Sequence, residues 1–194
     1  MKRVFDFLLA LIGLIFLFPF MLLIALFIII DSNGGVLFRQ LRVGKDAKEF
    51  QLIKFRSMRI INDDNLEITI GADKRITRVG SIIRKFKLDE LPQLWNILIG
   101  EMSFVGPRPE VPRYVKLYSE EQREVLSVRP GLTDPASLAF INESELLAES
   151  QDPVEKYIKE IMPQKLEMNL AYIRKRNFLS DLRLVLKTIQ KILS

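Results

Sequence analysis

Residues Phe7 to Ile30 form 24 consecutive positions without a charge, dominated by Leu, Ile and Phe. No polar stripe interrupts the run, as one would on a helix packed at the surface of a soluble core. At about 1.5 Å per residue the segment is long enough for a tilted membrane span. A chain carrying it must therefore place that surface in lipid. A secretory signal would suit Lys2 and Arg3, but the apolar stretch is too long and no small-x-small cleavage site follows.

How the segment meets the bilayer stays open on these residues alone. Pro19 lies at the middle of the run; it lacks an amide hydrogen and clashes with the preceding turn, so a kink or break is expected there. Lys2 and Arg3 precede the run, and Arg39 to Arg59 carries seven basic residues against two acidic ones, so both flanks read as cytoplasmic. A re-entrant hairpin bent near Pro19 satisfies that pattern. A kinked but complete span is the competing reading.

The remainder alternates short elements without a repeat or a Pro/Gly/Ser linker, and 194 residues suit one ordinary domain. The fold class expected is α+β, mainly helical with a short β element. Val36 to Gln40 and Phe50 to Met58 read as strands around the turn at Val43-Gly44-Lys45-Asp46. Ser81 to Lys87 and Asp89 to Ile99 read as helices, the second stopped by Gly100. Ser119 with Gln122 forms a capping box for a helix to about Val128, and Asp152-Pro153 opens another. Helix is expected again from Pro163 to near Asn177, and from Asp181. That last segment sets Leu182, Val185, Leu186, Ile189, Ile192 and Leu193 opposite Arg183, Lys187 and Lys191. It suits a membrane surface, although core packing is the commoner fate of such a face.

Composition removes whole classes of chemistry. The chain has no Cys and no His, which excludes disulfides, thiolate metal sites, cysteine nucleophiles and any imidazole base. Catalysis, if present, falls to carboxylates. Net charge is +5, unevenly spread: Lys74 to Lys87 holds six bases and no acid, whereas Asn142 to Glu160 holds six acids and two bases. A basic side beside a membrane segment suits lipid headgroups or phosphorylated substrates, and the sparse aromatics among these bases argue against nucleic acid as a partner.

Four patterns carry chemistry. In Lys87-Leu88-Asp89-Glu90-Leu91-Pro92-Gln93-Leu94, adjacent carboxylates stand at a helix start, where free amides stabilise negative charge. Adjacent helical positions diverge by about 100°, so Asp89 and Glu90 are expected to face different partners, one able to attack and the other to hold a divalent cation. An Asp cap followed by a favourable Glu would look the same. Gly106-Pro107-Arg108-Pro109-Glu110 brackets an arginine with prolines, and Ser127-Val128-Arg129-Pro130-Gly131-Leu132-Thr133 presents another beside a Pro-Gly turn; the planar guanidinium suits bidentate phosphate recognition. In Lys54-Phe55-Arg56-Ser57-Met58, Lys54 and Arg56 emerge from one face of a presumed strand. Together these supply two carboxylates and several positioned cations, the inventory for moving a phosphoryl group with bound Mg²⁺.

Those blocks, with Lys2-Arg3-Val4-Phe5-Asp6 and Gly100-Glu101-Met102-Ser103-Phe104-Val105, give the chain its resemblance to the bacterial sugar transferase family, the small monotopic phosphoglycosyl transferases. The likeness runs nearly the whole length. It implies a re-entrant membrane segment over 1–31 and a cytoplasmic catalytic domain with interfacial amphipathic helices over 32–194, at the cytoplasmic face of the bacterial inner membrane. It also implies transfer of a sugar 1-phosphate from a UDP-sugar to undecaprenyl phosphate, releasing UMP and starting a surface glycan. Asp89 would be the nucleophile forming a covalent phosphosugar, Glu90 would hold Mg²⁺, and Arg84, Arg108 and Arg129 would contact phosphate and nucleotide. A homodimer is compatible with the likeness. A catalytically silent module binding sugar nucleotide or lipid phosphate is the alternative, as is a bitopic anchor. Two departures matter: Phe86-Lys87 stands where family members commonly have Thr-Ser, and Asp134-Pro135-Ala136 replaces the usual Gly-Trp-Ala. The second leaves the sugar unassigned.

Overall fold

The computed structural model describes residues 2–59 and 73–193. Its first element, α1 (Lys2–Asp31), is an unbroken helix with Pro19 inside it, so the expected break at Pro19 is absent. The residues that α1 turns inward recur at helical spacing: Asp6, Ala10, Ile24 and Ile28 are buried, and Leu14, Leu17 and Met21 pack against the core between them. This is a narrow seam, one row wide, and it leaves the other faces bare. Phe16 is 78% exposed and Ile30 72%.

Polar groups pin both ends of α1 to the same domain. Arg3 donates from Nη1 to Ile97 O and from Nη2 to Leu98 O, each at 2.6 Å. Buried Asp6 accepts from Ser103 Oγ at 2.9 Å, and at the far end Asp31 Oδ2 accepts from Val79 N at 2.9 Å. About 45 Å of helix therefore lies along one body, held at head and tail.

After the Ser32–Gly35 turn come β1 (Leu37–Val43) and β2 (Glu49–Phe55), an antiparallel hairpin in register from Leu37↔Phe55 to Val43↔Glu49. The second strand stops at Phe55, short of the expected Met58, which instead bridges to Ile76. Then follow α2 (Arg78–Lys85), a 3₁₀ turn (Leu88–Glu90), α3 (Gln93–Ile99), β3 (Ser103–Val105), α4 (Pro112–Val115), a 3₁₀ segment (Gln122–Ser127) and β4 (Gly131–Thr133). The remaining helices are α5 (Pro135–Ala139), α6 (Glu143–Ala148), α7 (Pro153–Lys156), which runs through a π turn into α8 (Met162–Lys175), and α9 (Phe178–Leu193). The fold is mainly helical with two small sheets, as the α+β expectation required. Ser119 and Gln122 do form the capping box, over 3₁₀ rather than α-helix.

Three apolar clusters hold these elements. The first half of α1 packs with Leu94 and Ile97 of α3 and with Phe50 and Leu52 of β2. Its second half meets Phe55, Ile83, Leu88 and Leu91. Away from α1, Val111, Tyr114, Tyr157, Leu166 and Leu170 join α4 to α8. Core packing is not what the fold does with the apolar face of α9: Phe178, Leu179, Leu182, Leu186 and Ile189 stay exposed. That helix lies against β3, β4 and α5, with the Thr188 hydroxyl bonded to that of Thr133 at 2.6 Å, and it touches the start of α1 through an edge-on Phe5–Phe178 contact at 5.3 Å and an ion pair between Lys2 and Asp181. Two exposed aromatic side chains, Phe5 of α1 and Phe178 of α9, thus meet.

Candidate active site

Helix α2 ends at Lys85 with Phe86 as its C-cap, and Lys87 takes a left-handed conformation (φ 55°) that turns the chain into the Leu88–Glu90 3₁₀ turn. The expected helix over Asp89 to Ile99 therefore starts as 3₁₀ and becomes α only at Gln93. Pro92, with no amide hydrogen to give, sits at the N-cap of α3. Leu88 and Leu91 are drawn into the cluster around Ile24 and Ile28. The carboxylates between them, Asp89 and Glu90, are 6% and 7% exposed.

Arg108 reaches Glu90 from a loop whose path is set by backbone contact. Strands β3 and β4 pair in parallel, Ser103↔Gly131 and Val105↔Thr133, and the pairing continues through Gly131 N to Pro107 O at 2.9 Å. A Cβ on Gly131 would lie 2.1 Å from Gly106 N, and one on Gly106 would lie 2.4 Å from Arg129 O, so no other residue fits either position. Pro107 and Pro109 then fix the direction of Arg108.

Adjacent carboxylates do face different partners. Glu90 Oε1 is held by Arg108 Nη2 at 2.6 Å and Lys54 Nζ at 3.3 Å. Burial by itself would raise the Glu90 pKa, but Arg108 and then Lys54 hold its carboxyl well below the usual range. Arg108 is raised in return by Glu90, whereas burial draws Lys54 down to about 8 against the pull of Glu90. Asp89 has the opposite environment: its Oδ1 is buried without a hydrogen-bond donor among the described residues. Burial first, and the Glu90 charge second, raise its pKa, with Lys54, Arg84 and Lys87 opposing. A desolvated carboxylate beside an immobilised like charge is a stronger nucleophile than one in water.

Both acids open on a cavity of about 1030 Å³, which Lys54, Arg84, Lys87 and Arg108 also line. Of the expected site residues, Asp89, Glu90, Lys54, Arg84 and Arg108 therefore come together. Arg56 also borders the cavity, but all five of its N–H groups are committed to the turn behind it: Nε donates to Gly35 O, Nη1 to Ser32 Oγ and Asn33 O, and Nη2 to Ser32 O and Gly34 O. Arg56 ties down the exit of α1 and has no donor left for phosphate. Arg129 does not line the cavity; its Nε donates to Gly100 O at 2.8 Å, at the end of α3. Neither arginine's partners could be read from local sequence.

The cavity has a further wall that the sequence does not announce. Glu110 accepts from Arg42 Nη1 at 3.2 Å and from the Tyr157 hydroxyl, while Arg42 also donates to Pro109 O at 3.1 Å. Asn169, 4% exposed, lines the cavity with an Oδ1 that has no partner among the described residues. Tyr157 and Asn169 come from the C-terminal helices, far along the chain from the quoted blocks, and no local pattern marks them. The Asp134 departure, by contrast, is an N-cap: its side chain accepts from Ala136 N at 3.0 Å and Ser137 N at 3.1 Å.

Among the described residues no group of three or more acids stands close enough to hold a metal by itself. Mg²⁺ usually takes one or two carboxylates together with substrate phosphate and water. The dyad fits that mode, since Arg108 and Lys54 occupy only one oxygen of Glu90.

Comparison with known proteins gives a consistent pattern. A model described as bacterial sugar transferase matches residues 1–194. A UDP-glucose:undecaprenyl-phosphate glucose-1-phosphate transferase of Xanthomonas campestris pv. campestris is 36% identical, over 99% of this chain and 38% of the relative. The exopolysaccharide production protein PSS of Rhizobium leguminosarum bv. phaseoli is 36% identical, over 97% of this chain and 93% of the relative. A UDP-N-acetylgalactosamine-undecaprenyl-phosphate N-acetylgalactosaminephosphotransferase of Aeromonas hydrophila is also 36% identical, over the whole of this chain and 44% of the relative. The chain thus spans well under half the length of two of these relatives and nearly all of the third.

Proposed function

The chain belongs to the bacterial sugar transferase family, and we propose that it moves a sugar 1-phosphate from a UDP-sugar to undecaprenyl phosphate through a covalent intermediate on Asp89. One observation carries this reading: of two adjacent buried acids, Glu90 is locked by Arg108 and Lys54, while Asp89 has an oxygen with no donor among the described residues and opens on the same cavity.

In the first step the Asp89 carboxylate attacks the β-phosphorus of the donor. A P–O bond to Asp89 forms, the P–O bond to the α-phosphate breaks, and UMP departs with the electron pair. In the second step an oxygen of the lipid phosphate attacks the same phosphorus, and the Asp89 carboxylate is released. Neither step needs a proton transferred, which suits a site built without histidine. Arg108, Lys54, Arg84 and Lys87 supply positive charge around the diphosphate. Glu90 would hold Mg²⁺, whose chemistry there is to neutralise the diphosphate and the leaving UMP.

The anchoring of α1 supports a monotopic placement. Lys2, Arg3 and Asp6 at its head and Asp31 at its tail all bond to the same domain, so a helix carrying that domain on one side enters and leaves by one membrane face. With Pro19 inside an intact helix, re-entry takes the form of a helix laid along the domain with its outer face in lipid. The face would be the cytoplasmic one of the inner membrane, where soluble donor and lipid acceptor meet, and the product would begin a surface glycan.

Relatives named for glucose and for N-acetylgalactosamine match equally at 36%, so likeness does not select the sugar. Purified protein incubated with a panel of UDP-sugars, Mg²⁺ and undecaprenyl phosphate tests the proposal. UMP release with at least one donor, and a phosphosugar adduct on Asp89 by intact mass and peptide mapping, are expected. No UMP from any donor would favour the silent binding module instead.

A further inference from the structure

Gln93, the first residue of α3, is 2% exposed, yet its Nε2 has no hydrogen-bond partner among the described residues. Four positions earlier, Asp89 Oδ1 is buried without a donor. The backbone between them is helical throughout: the Leu88–Glu90 turn passes into Leu91 and Pro92, both in the right-handed region, and then into α3. Residues 89 and 93 therefore stand about one turn apart, in a stretch whose backbone bonds run i→i+3, and their unpartnered atoms do not bond each other in this structure. One carries an unused donor and the other an unused acceptor, and each is costly to bury alone.

Other roles for Gln93 fit less well. It does not line the cavity, so direct contact with substrate is not its use. The carboxylate next door is already served, since Arg108 and Lys54 both bind Glu90. Leu94 and Ile97 on the same helix pack against α1 and β2, which holds the first turn of α3 in place beneath Asp89.

We propose that Gln93 is a positioning residue for Asp89: in the reacting site its side chain turns so that the amide donates to Oδ1, presents Oδ2 to the phosphorus, and stabilises the carboxylate as it leaves. The inference rests on the transferase reading above. Its consequence is unequal for the two steps. When the lipid phosphate oxygen bonds to phosphorus, the P–Oδ2 bond breaks and its electron pair returns to the Asp89 carboxylate. A hydrogen bond to that group strengthens as charge returns. Loss of the donor therefore slows resolution of the adduct more than its formation.

A two-stage experiment in detergent or nanodiscs separates the steps. Wild type and Gln93→Met are first incubated with Mg²⁺ and a donor, UDP-glucose and UDP-N-acetylgalactosamine serving as probes, without lipid; the adduct is quantified by intact mass. Undecaprenyl phosphate is then added and decay of the adduct is timed. Gln93→Met is expected to reach the wild-type adduct level with an unchanged donor KM, and to release the adduct roughly tenfold more slowly, the scale of a hydrogen bond to a charged group. Gln93→Glu, isosteric but without the donor when ionised, guards against misfolding of the Met variant and is expected to slow release at least as much. Release at the wild-type rate in a folded variant overturns the proposal. So does loss of adduct formation in a variant with unchanged melting temperature. If wild type forms no adduct with any donor, the transferase reading fails first and takes this inference with it.

Discussion

Helix α1 and the Leu88–Glu90 turn break the usual rule of burial in opposite directions. On α1, large apolar side chains such as Ile15, Phe16 and Ile30 stand more than half exposed; in the turn, two acids are nearly closed off from solvent. Exposed apolar surface of this extent marks an interaction with something apolar. Buried carboxylates mark a site where charge is put to use. The two anomalies are joined, because Leu88 and Leu91 flank the acids and pack with Ile24 and Ile28 of α1. Whatever depth α1 takes in a membrane, the dyad takes with it. A soluble diphosphate and a lipid phosphate could then share one carboxylate without either leaving its own phase.

The charged side of this contrast gives the largest expected effect. Asp89→Asn should abolish the adduct and lower turnover by on the order of 10³-fold or more, with little change in melting temperature, because Oδ1 has no hydrogen bond to lose among the described residues. Substantial residual turnover would mean that the buried acid is structural. Arg108→Met should lower kcat/KM by on the order of 10²-fold, the scale of a lost charge-stabilising donor. It should also cost about 2 kcal/mol in chemical denaturation, less than for a fully buried pair because Arg108 is about a third exposed.

The apolar side predicts an effect on location and not on chemistry. Leu182→Glu with Leu186→Glu, on the exposed face of α9, should weaken sedimentation with anionic vesicles by roughly tenfold while leaving UMP release in detergent unchanged. Equal loss in both assays would show that α9 is a core helix after all. The smallest effect concerns the joint between α1 and α2. The Thr77 hydroxyl and the Val79 amide lower the Asp31 pKa below its usual 3.8. A depressed acid adds stability above its unfolded pKa and loses it as pH falls through the folded one. Asp31→Ala should therefore cost about 1 kcal/mol at neutral pH, with the gap between the two proteins closing below about pH 4.

Local chemistry made much of this legible in advance. The hairpin was readable because the β-branched and aromatic runs flank a turn, and the end of α3 because Gly100, at φ 93°, closes it, whereas its start lies at Gln93 and not at Asp89. Asp89, Glu90 and Arg108 were marked by their own neighbours. Arg56 and Arg129 carried similar local signals and proved to be anchors for backbone carbonyls, because whether an arginine meets phosphate or carbonyl depends on what the fold brings opposite it. Gln93 stands in the same block without a mark, since a glutamine at a helix start has no distinctive sign until its amide is found buried without a partner among the described residues.

By itself the sequence determined that this chain carries an apolar segment long enough to meet a membrane, that any catalysis falls to carboxylates, and which two adjacent acids were the candidates; these follow from residue type and spacing, which are properties of a few neighbouring positions. Only the tertiary structure decided that α1 runs intact through Pro19 with both ends on one body, and that Glu90 is ion-paired to Arg108 and Lys54 while an oxygen of Asp89 has no donor among the described residues. Charge balance, burial and anchoring are set by groups dozens of residues apart, and such groups acquire partners only when the chain is folded.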